Sequence, residues 1–313
     1  MVEIIGDKEV LRSLASGAQG SARRVYVLVV PSGAKAGYVS AVALKVLAEH
    51  GVTSGQFRVV VATSAGFLNV MGYCAQQSAV TPDVYLHLAD KPWFFPVGLR
   101  GGWTTFHEYL LGILRGEVLA GVKLDLDALW ACPSRKVAAV SDLSGGIHYH
   151  ELGAREDVFR FMHATSAIVP FTFGERIADY VAIDGAYAHA HCQFARIVRA
   201  LMREEPAAEI CVLFVGNRPS VRHQHWLEAW SYGLGMTASL WWSPALLTSA
   251  LAIDGKVERS ERLFARPVRR RIRLCAILPS VAEKVDPWEW RNAHMERQGA
   301  SIARSLSHAI QAL

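Results

Sequence analysis

Residues 57–66 read FRVVVATSAG, and this stretch decides the fold. Its three consecutive valines predict a buried strand of a parallel sheet, because such strands are covered on both faces. The small residues 62–66, ATSAG, predict a sharp turn, and the apolar run FLNVMGYCAQQ that follows predicts a helix. A strand that turns directly into a helix is a building unit of α/β folds.

The same unit occurs once before. Residues 24–31, RVYVLVVP, predict a strand, residues 32–37, SGAKAG, a small-residue turn, and YVSAVALKVLAEHG a helix that ends at Gly51. Further strands are predicted in KVAAVSDL from Lys136, YVAI before Asp184, EICVLFVG from Glu209 and RIRLCAILP from Arg271, and helices over 103–131, 153–167 and 288–313. We therefore predict an α/β protein with a mainly parallel central sheet flanked by helices in three layers.

Composition indicates a folded protein with a sizeable core. Of the 313 residues, 51% are hydrophobic and 19% are charged. No internal repeat or linker-like segment divides the chain. We expect a single domain over residues 1–313, with a catalytic core at about 20–205 and a divergent C-terminal part at 206–313.

The net charge and the cysteines indicate which class of partner the protein binds and which cellular compartment it occupies. The net charge of +5 and the pI of about 9.0 suit an anionic surface such as a phospholipid membrane, but are too small to indicate nucleic acid. Five cysteines without a CxxC pair indicate reduced thiols, and the N-terminus lacks the apolar stretch of a secretory signal. We expect a cytoplasmic protein, peripheral to a membrane if it contacts one.

Ser64 is the candidate nucleophile. A serine hydroxyl needs a base, and its attack on a carbonyl needs donors for the oxyanion. A sharp strand-to-helix turn makes the serine hydroxyl accessible and places the N–H groups of a helix N-terminus beside it. Small residues such as Ala62 and Gly66 let that turn pack against neighbouring strands and helices. The turn at 32–37 contains only Gly33 and Gly37, so it lacks the GxGxxG and P-loop patterns, and we interpret it as an oxyanion nest rather than a nucleotide site.

With these motifs in order, the chain resembles the patatin-like phospholipases. Their G-G-G-x-R-G turn aligns with residues 32–37, their G-x-S-x-G elbow with 62–66, and their Asp-Gly-Gly or Asp-Gly-Ala motif with Asp184-Gly185-Ala186. VSDLSGG from Val140 and HATSAIVPFTF from His163 match the connecting segments. The resemblance covers about residues 25–195.

The resemblance implies a Ser64–Asp184 dyad in which Asp184 takes the serine proton. It implies an oxyanion hole built by Ser32, Gly33, Ala34, Lys35 and Ala65, with Ala62, Gly66, Gly37 and Gly185 shaping the elbow and turns. It also implies hydrolysis of lipid acyl esters, of phospholipase A or lysophospholipase type, through an acyl-enzyme and without metal or cofactor.

Several positions depart from the family pattern, and they keep two other functions open. Ala62, Ser32 and Ala34 replace glycines, and Ala36 stands where the family has arginine. One alternative is a lipid-binding or regulatory protein that has weakened or lost the chemistry. Another is a soluble esterase or acyltransferase for small acyl donors.

Two further patterns concern membranes and metals. Residues 229–253 are uncharged, and with the basic run Arg269–Arg273 they predict peripheral contact with a lipid surface through Trp241 and Trp242 rather than a membrane span. Three His-x-His pairs, at 148/150, 189/191 and 223/225, could offer metal ligands. Because no HExxH motif or carboxylate cluster accompanies them, we expect no catalytic metal.

Overall fold

The structure, a computed structural model, describes residues 2–17, 23–33, 37–89, 102–119, 122–167, 174–185, 194–216, 271–280 and 292–313. The strands are β1 (Val2–Gly6), β2 (Arg24–Val30), β3 (Val59–Ala62), β4 (Arg135–Asp142), β5 (Ile147–Glu151), β6 (Glu175–Ile177), β7 (Tyr180–Asp184), β8 (Glu209–Val215) and β9 (Ile272–Pro279). The helices are α1 (Glu9–Ser16), α2 (Gly37–Glu49), α3 (Ala65–Cys74), α4 (Thr81–Ala89), α5 (Gly102–Arg115), α6 (Leu126–Ala131), α7 (Arg155–Thr165), α8 (Phe194–Glu204) and α9 (Asn292–Gln311).

The strands form one sheet in the order β1-β9-β8-β2-β3-β4-β7-β6, with β5 also paired to β4. The central strands β9, β8, β2, β3 and β4 are parallel, whereas β1, β5, β6 and β7 join antiparallel. The predicted fold class, a mainly parallel central sheet flanked by helices, is confirmed. The carboxyl ends of β2 and β3 lie side by side, and each continues into a turn and a helix.

Helices cover both faces of the sheet because its central strands are apolar on both sides. In β2, Leu28 and Val30 belong to one core together with α2, α3 and α9. Val27 and Val29 belong to a second core, which α8 covers through Phe194, Val198 and Leu201. This alternation along a buried strand produces the three layers.

The prediction of one helix over residues 103–131 is wrong. Helix α5 ends at Arg115, because Gly116 takes a φ of 79°, which favours glycine, and α6 begins at Leu126. Asp125 caps α6: its Oδ1 accepts a hydrogen bond from the N–H of Ala128 at 2.9 Å. The apolar pattern alone does not reveal this interruption.

The two ends of the chain meet on the same side of the sheet. Helix α9 packs on α2 and buries Met295, Ile302, Leu306 and Ile310. The N–H of Val2, in the edge strand β1, donates to Ser305 Oγ at 2.6 Å. The sheet thus combines strands from both parts of the chain, and the single domain stays a prediction.

Among the residues that the structure describes, no helix is long and apolar enough to cross a membrane. The uncharged stretch 229–253, with Trp241 and Trp242, lies outside the described residues.

Candidate active site

Ser64 occupies a strained turn between β3 and α3. Its backbone has φ 53° and ψ −131°, one of only three positive-φ conformations of a non-glycine residue in the described part of the chain. Such a conformation costs about 1–3 kcal/mol and persists where the surrounding structure enforces it, often at active sites. As the N-cap of α3, Ser64 makes no side-chain capping bond to the helix. The strained turn lies where the sequence predicts a nucleophile elbow.

Gly66 lets the elbow helix pack directly on the end of β2. A Cβ at this position would overlap the carbonyl oxygens of Val30 and Pro31. The glycine of the ATSAG turn is therefore required by a backbone-to-backbone contact. That contact places the N-terminus of α3 beside the carboxyl end of β2, where the turn at 32–37 begins.

Alanine at position 62 is compatible with the elbow. Ala62 is the last residue of β3, is 2% exposed and pairs with Ala138 in the parallel ladder. Its φ is not among the positive values, so no backbone conformation reserved for glycine is needed there. The departure from the G-x-S-x-G pattern at this position leaves the turn intact.

Asp184 approaches the elbow because β3 and β7 end against the same stretch of β4. At Ala138, β4 pairs with Ala62 of β3 on one side and with β5 on the other. At Val140, β4 pairs with Asp184 of β7 and again with β5. Strands β3 and β7 therefore lie on the same side of β4 and run toward each other. Their last residues are two positions apart along β4, about 6.6 Å at a rise of about 3.3 Å per residue.

Gly185 closes the remaining gap between the Asp184 strand and the elbow. A Cβ on Gly185 would overlap Thr63 Oγ1 and would lie 2.5 Å from the carbonyl oxygen of Ala139. Residue 185 thus packs on the residue immediately before Ser64. Asp184 is 4% exposed, and its N–H donates to the carbonyl of Ala167 at 3.0 Å, which joins the end of the HATSA segment to this strand. The strand that leads to Ser64 and the strand that ends at Asp184 therefore end near each other on β4, although the two residues are 120 positions apart in sequence.

The predicted oxyanion turn begins and ends beside the elbow. Ser32 and Gly33 follow the buried Pro31, and Gly37 starts α2. A Cβ on Gly37 would lie 2.5 Å from the Cβ of Ala65. Ala65 is the first residue of α3, so its N–H has no acceptor within the helix and lies at the positive end of the helix dipole. Ala34, Lys35 and Ala36 lie outside the described residues, as does Ala186.

Three polar residues around the turn were not predicted as part of the site. Asn69, Ser40 and Tyr85 form buried hydrogen bonds that join the start of α2, the elbow helix and α4. The signal for Asn69 is its place as a polar residue within the apolar run FLNVMGYC, because a buried amide must find partners. Tyr85 gives no such signal.

The histidine pair on β5 contributes to the turn between β4 and β5. His148 Nε2 lies 2.7 Å from Asp142 Oδ2, and His150 bonds the Tyr180 hydroxyl. Burial by itself raises the pKa of Asp142, but bonds from His148, Ser144 and Gly146 outweigh it and lower the pKa to about 2. Within the described residues, no group of three His, Cys, Asp or Glu side chains could hold a metal ion. The pairs 189/191 and 223/225 lie outside those residues.

Part of the basic run makes contacts inside the protein. Arg273 donates to Asp7 at 2.8 Å and to Glu209 at 3.0 Å. Arg271 donates to the backbone carbonyls of Glu205 and Ala208. These two guanidinium groups hold β9 to its neighbours, and Arg269 and Arg270 lie outside the described residues.

Comparison with known proteins gives a fold-level likeness only. No protein-family model matches the chain, and no curated protein matches it. Among solved structures, the chain is similar to VipD from Legionella pneumophila, with 11% sequence identity and a TM-score of 0.43, over 92% of this chain and 68% of that one.

Proposed function

We propose that this protein is a serine acyl hydrolase of the patatin-like type, with Ser64 as nucleophile and Asp184 as general base. The observation that carries the proposal is that β3 and β7 end near each other on β4, because a strained serine follows β3 and a buried carboxylate ends β7. A serine without a base is a weak nucleophile, and this arrangement provides the base from a separate strand.

The mechanism follows from these positions. Asp184 accepts the proton of Ser64 Oγ as that oxygen attacks the carbonyl carbon of an acyl ester. The oxyanion that forms is stabilised by the N–H of Ala65 at the start of α3 and by N–H groups of the turn at 32–37. The leaving alcohol takes the proton, and an acyl-enzyme remains on Ser64. Water, activated by Asp184, then releases the fatty acid and restores the serine.

A lipid ester is the substrate class that we propose. The net charge of +5 favours an anionic surface, and Trp241, Trp242, Arg269 and Arg270 are the residues proposed to contact it, since Arg271 and Arg273 make hydrogen bonds inside the protein. Phospholipase A or lysophospholipase activity fits a chain that works on such a surface.

Labelling by a fluorophosphonate probe tests the dyad, because the probe reacts only with an activated serine. We expect the natural chain to be labelled and Ser64→Ala to be unlabelled. Asp184→Asn should slow labelling by at least about 100-fold, since general bases contribute about 10²–10⁴ to rate. The matched control is Asp142→Asn, which changes a carboxylate on neighbouring β4 that bonds His148, and which should label at the natural rate.

The outcome also separates the alternatives. A folded natural chain that binds vesicles without being labelled would contradict the enzyme and favour a lipid-binding or regulatory protein. Labelling together with hydrolysis of short soluble esters, but not of phospholipid vesicles, would favour a soluble esterase or acyltransferase.

A further inference from the structure

A buried polar network joins the oxyanion turn to the nucleophile elbow. Asn69, 1% exposed on α3, donates through Nδ2 to the carbonyl of Gly37 at 2.8 Å and to Ser40 Oγ at 2.8 Å. Ser40 Oγ in turn donates to the carbonyl of Gly37 at 3.0 Å. The Tyr85 hydroxyl, from α4, contacts Asn69 Oδ1 at 2.9 Å and the carbonyl of Ala65 at 3.0 Å.

The chemistry of these groups fixes the orientation of the Asn69 amide. A carbonyl oxygen only accepts, so the amide nitrogen of Asn69 must face Gly37, and its oxygen is left to accept from Tyr85. Burial raises the pKa of Tyr85 well above its usual value, which keeps the hydroxyl a donor. The single Tyr85 proton lies between Asn69 Oδ1 and the carbonyl of Ala65, so the three polar side chains are paired with one another and with the backbone, where an unpaired one would be costly.

The network spans the two sides of the proposed oxyanion hole. Gly37 is the last residue of the turn, and Ala65 is the elbow residue whose N–H is a predicted donor. A Cβ on Gly37 would lie only 2.7 Å from Tyr85 Oη, so Gly37 also packs directly on this hydroxyl. The separation of Gly37 from the elbow is thus set by the hydrogen bonds of Asn69 and by the direct contact of Gly37 with Tyr85 and Ala65.

We propose that Asn69, Ser40 and Tyr85 are positioning residues that hold Gly37, where the predicted oxyanion turn ends, in register with the N–H of Ala65. The inference rests on the proposed function and names the residues that make its oxyanion hole rigid. Donors stabilise a developing charge only when they are oriented beforehand, and a displacement of about 1 Å can cost about 100-fold in rate. A direct hydrogen-bond network from helix to turn resists that displacement.

Two tyrosine variants provide a matched test. Tyr85→Phe removes the hydroxyl that bonds Ala65 and Asn69, while Tyr73→Phe removes an equally buried hydroxyl at the far end of α3 that bonds the carbonyl of Val52. On p-nitrophenyl butyrate, we expect Tyr85→Phe to lower kcat by at least about tenfold with KM within about twofold, because oxyanion donors act in the transition state. Tyr73→Phe should keep kcat, with its melting temperature lowered to a similar extent. Asn69→Asp, which replaces the Nδ2 donor by an oxygen, should behave like Tyr85→Phe.

A second measurement does not depend on activity. Hydrogen–deuterium exchange in peptides that cover the start of α2 should speed up in Tyr85→Phe and stay unchanged in Tyr73→Phe. Equal kcat values and equal exchange in the two tyrosine variants would overturn the positioning role. If the natural chain is not labelled at Ser64, the proposed function fails, and the exchange rates alone decide whether the network holds the turn.

Discussion

At the scale of single residues, the clearest feature is the conformation of Ser64. A φ of 53° with ψ of −131° is unfavourable for any residue with a Cβ, and it is kept at the candidate nucleophile. The strain is compatible with folding because Gly66 packs on β2 and Gly185 packs on Thr63, which fixes the chain on both sides of the turn. We infer that the fold gives up stability to hold Ser64 in this turn at the start of α3.

This strain predicts a gain in stability when the Cβ is removed. Ser64→Gly should be more stable than Ser64→Ala by about 1 kcal/mol, because glycine relieves strain of about 1–3 kcal/mol at some cost in chain entropy. Urea unfolding of the two variants measures the difference, and both should be unlabelled by fluorophosphonate.

Ala178 offers the matched control for that comparison, since it has the same φ of 53° in the exposed turn before β7. Ala178→Gly should also gain stability but should keep the labelling of Ser64. If Ser64→Gly were no more stable than Ser64→Ala, the serine would not be strained in solution.

The sequence identifies some of these residues and not others, for physical reasons. Ser64 and Gly66 can be predicted because a turn between strand and helix demands small residues at fixed spacing. Asp184 is found only through the family resemblance, since its approach depends on how β7 pairs with β4 across 120 residues. Tyr85 could not be predicted, because nothing in its own segment indicates that its hydroxyl meets Ala65.

At the scale of elements, the site depends on how closely α3 approaches β2. The helix begins one residue after Ser64 and runs past the carboxyl end of β2, so its first turn must pass the carbonyls of Val30 and Pro31. Only a glycine at position 66 leaves room for this approach. The position of the helix N-terminus, and with it the Ala65 donor, follows from this one contact.

Gly66→Ala should therefore damage both folding and chemistry. We expect a loss of at least about 2 kcal/mol in the free energy of unfolding, within the range known for overpacked cores, and labelling of Ser64 slowed by at least about 100-fold. Urea unfolding and probe kinetics measure the two effects.

Gly55→Ala is the control, because a Cβ there would meet only the Pro133 ring at 3.6 Å, an ordinary contact. Gly55→Ala should change neither the free energy of unfolding nor the rate of Ser64 labelling by much. A Gly66→Ala protein with natural stability and labelling would show that α3 can shift without consequence.

The sequence predicts the apolar central strands well and the short polar ones poorly. Strands β2, β3, β8 and β9 are predicted because continuous apolar runs are unambiguous in a parallel sheet. Strands β1, β5 and β6 are not, since β5 reads IHYHE and takes its place from pairing with β4 rather than from its own composition. The break between α5 and α6 is set by Gly116 and Asp125, two local signals that the broad apolar pattern obscured.

At the scale of the whole molecule, the sheet interleaves the two parts into which the sequence was divided. Strand β8, from the C-terminal part, lies between β2 and β9, and β2 carries the chain into the oxyanion turn. Separating residues 206–313 from the core would leave β2 unpaired on one side. We propose that the chain folds as one cooperative domain, as the absence of a linker-like segment predicted.

A pair of leucines that face each other across this junction tests the proposal. Leu28 of β2 and Leu213 of β8 are directly paired, and both are 0% exposed. Leu28→Ala lies in the predicted core and Leu213→Ala in the C-terminal part, and each should cost about 2–5 kcal/mol. In one cooperative domain, both variants shift the same urea transition, seen equally by circular dichroism and tryptophan fluorescence. Two transitions, each moved by only one of the variants, would show that the C-terminal part folds separately and that the site does not depend on it.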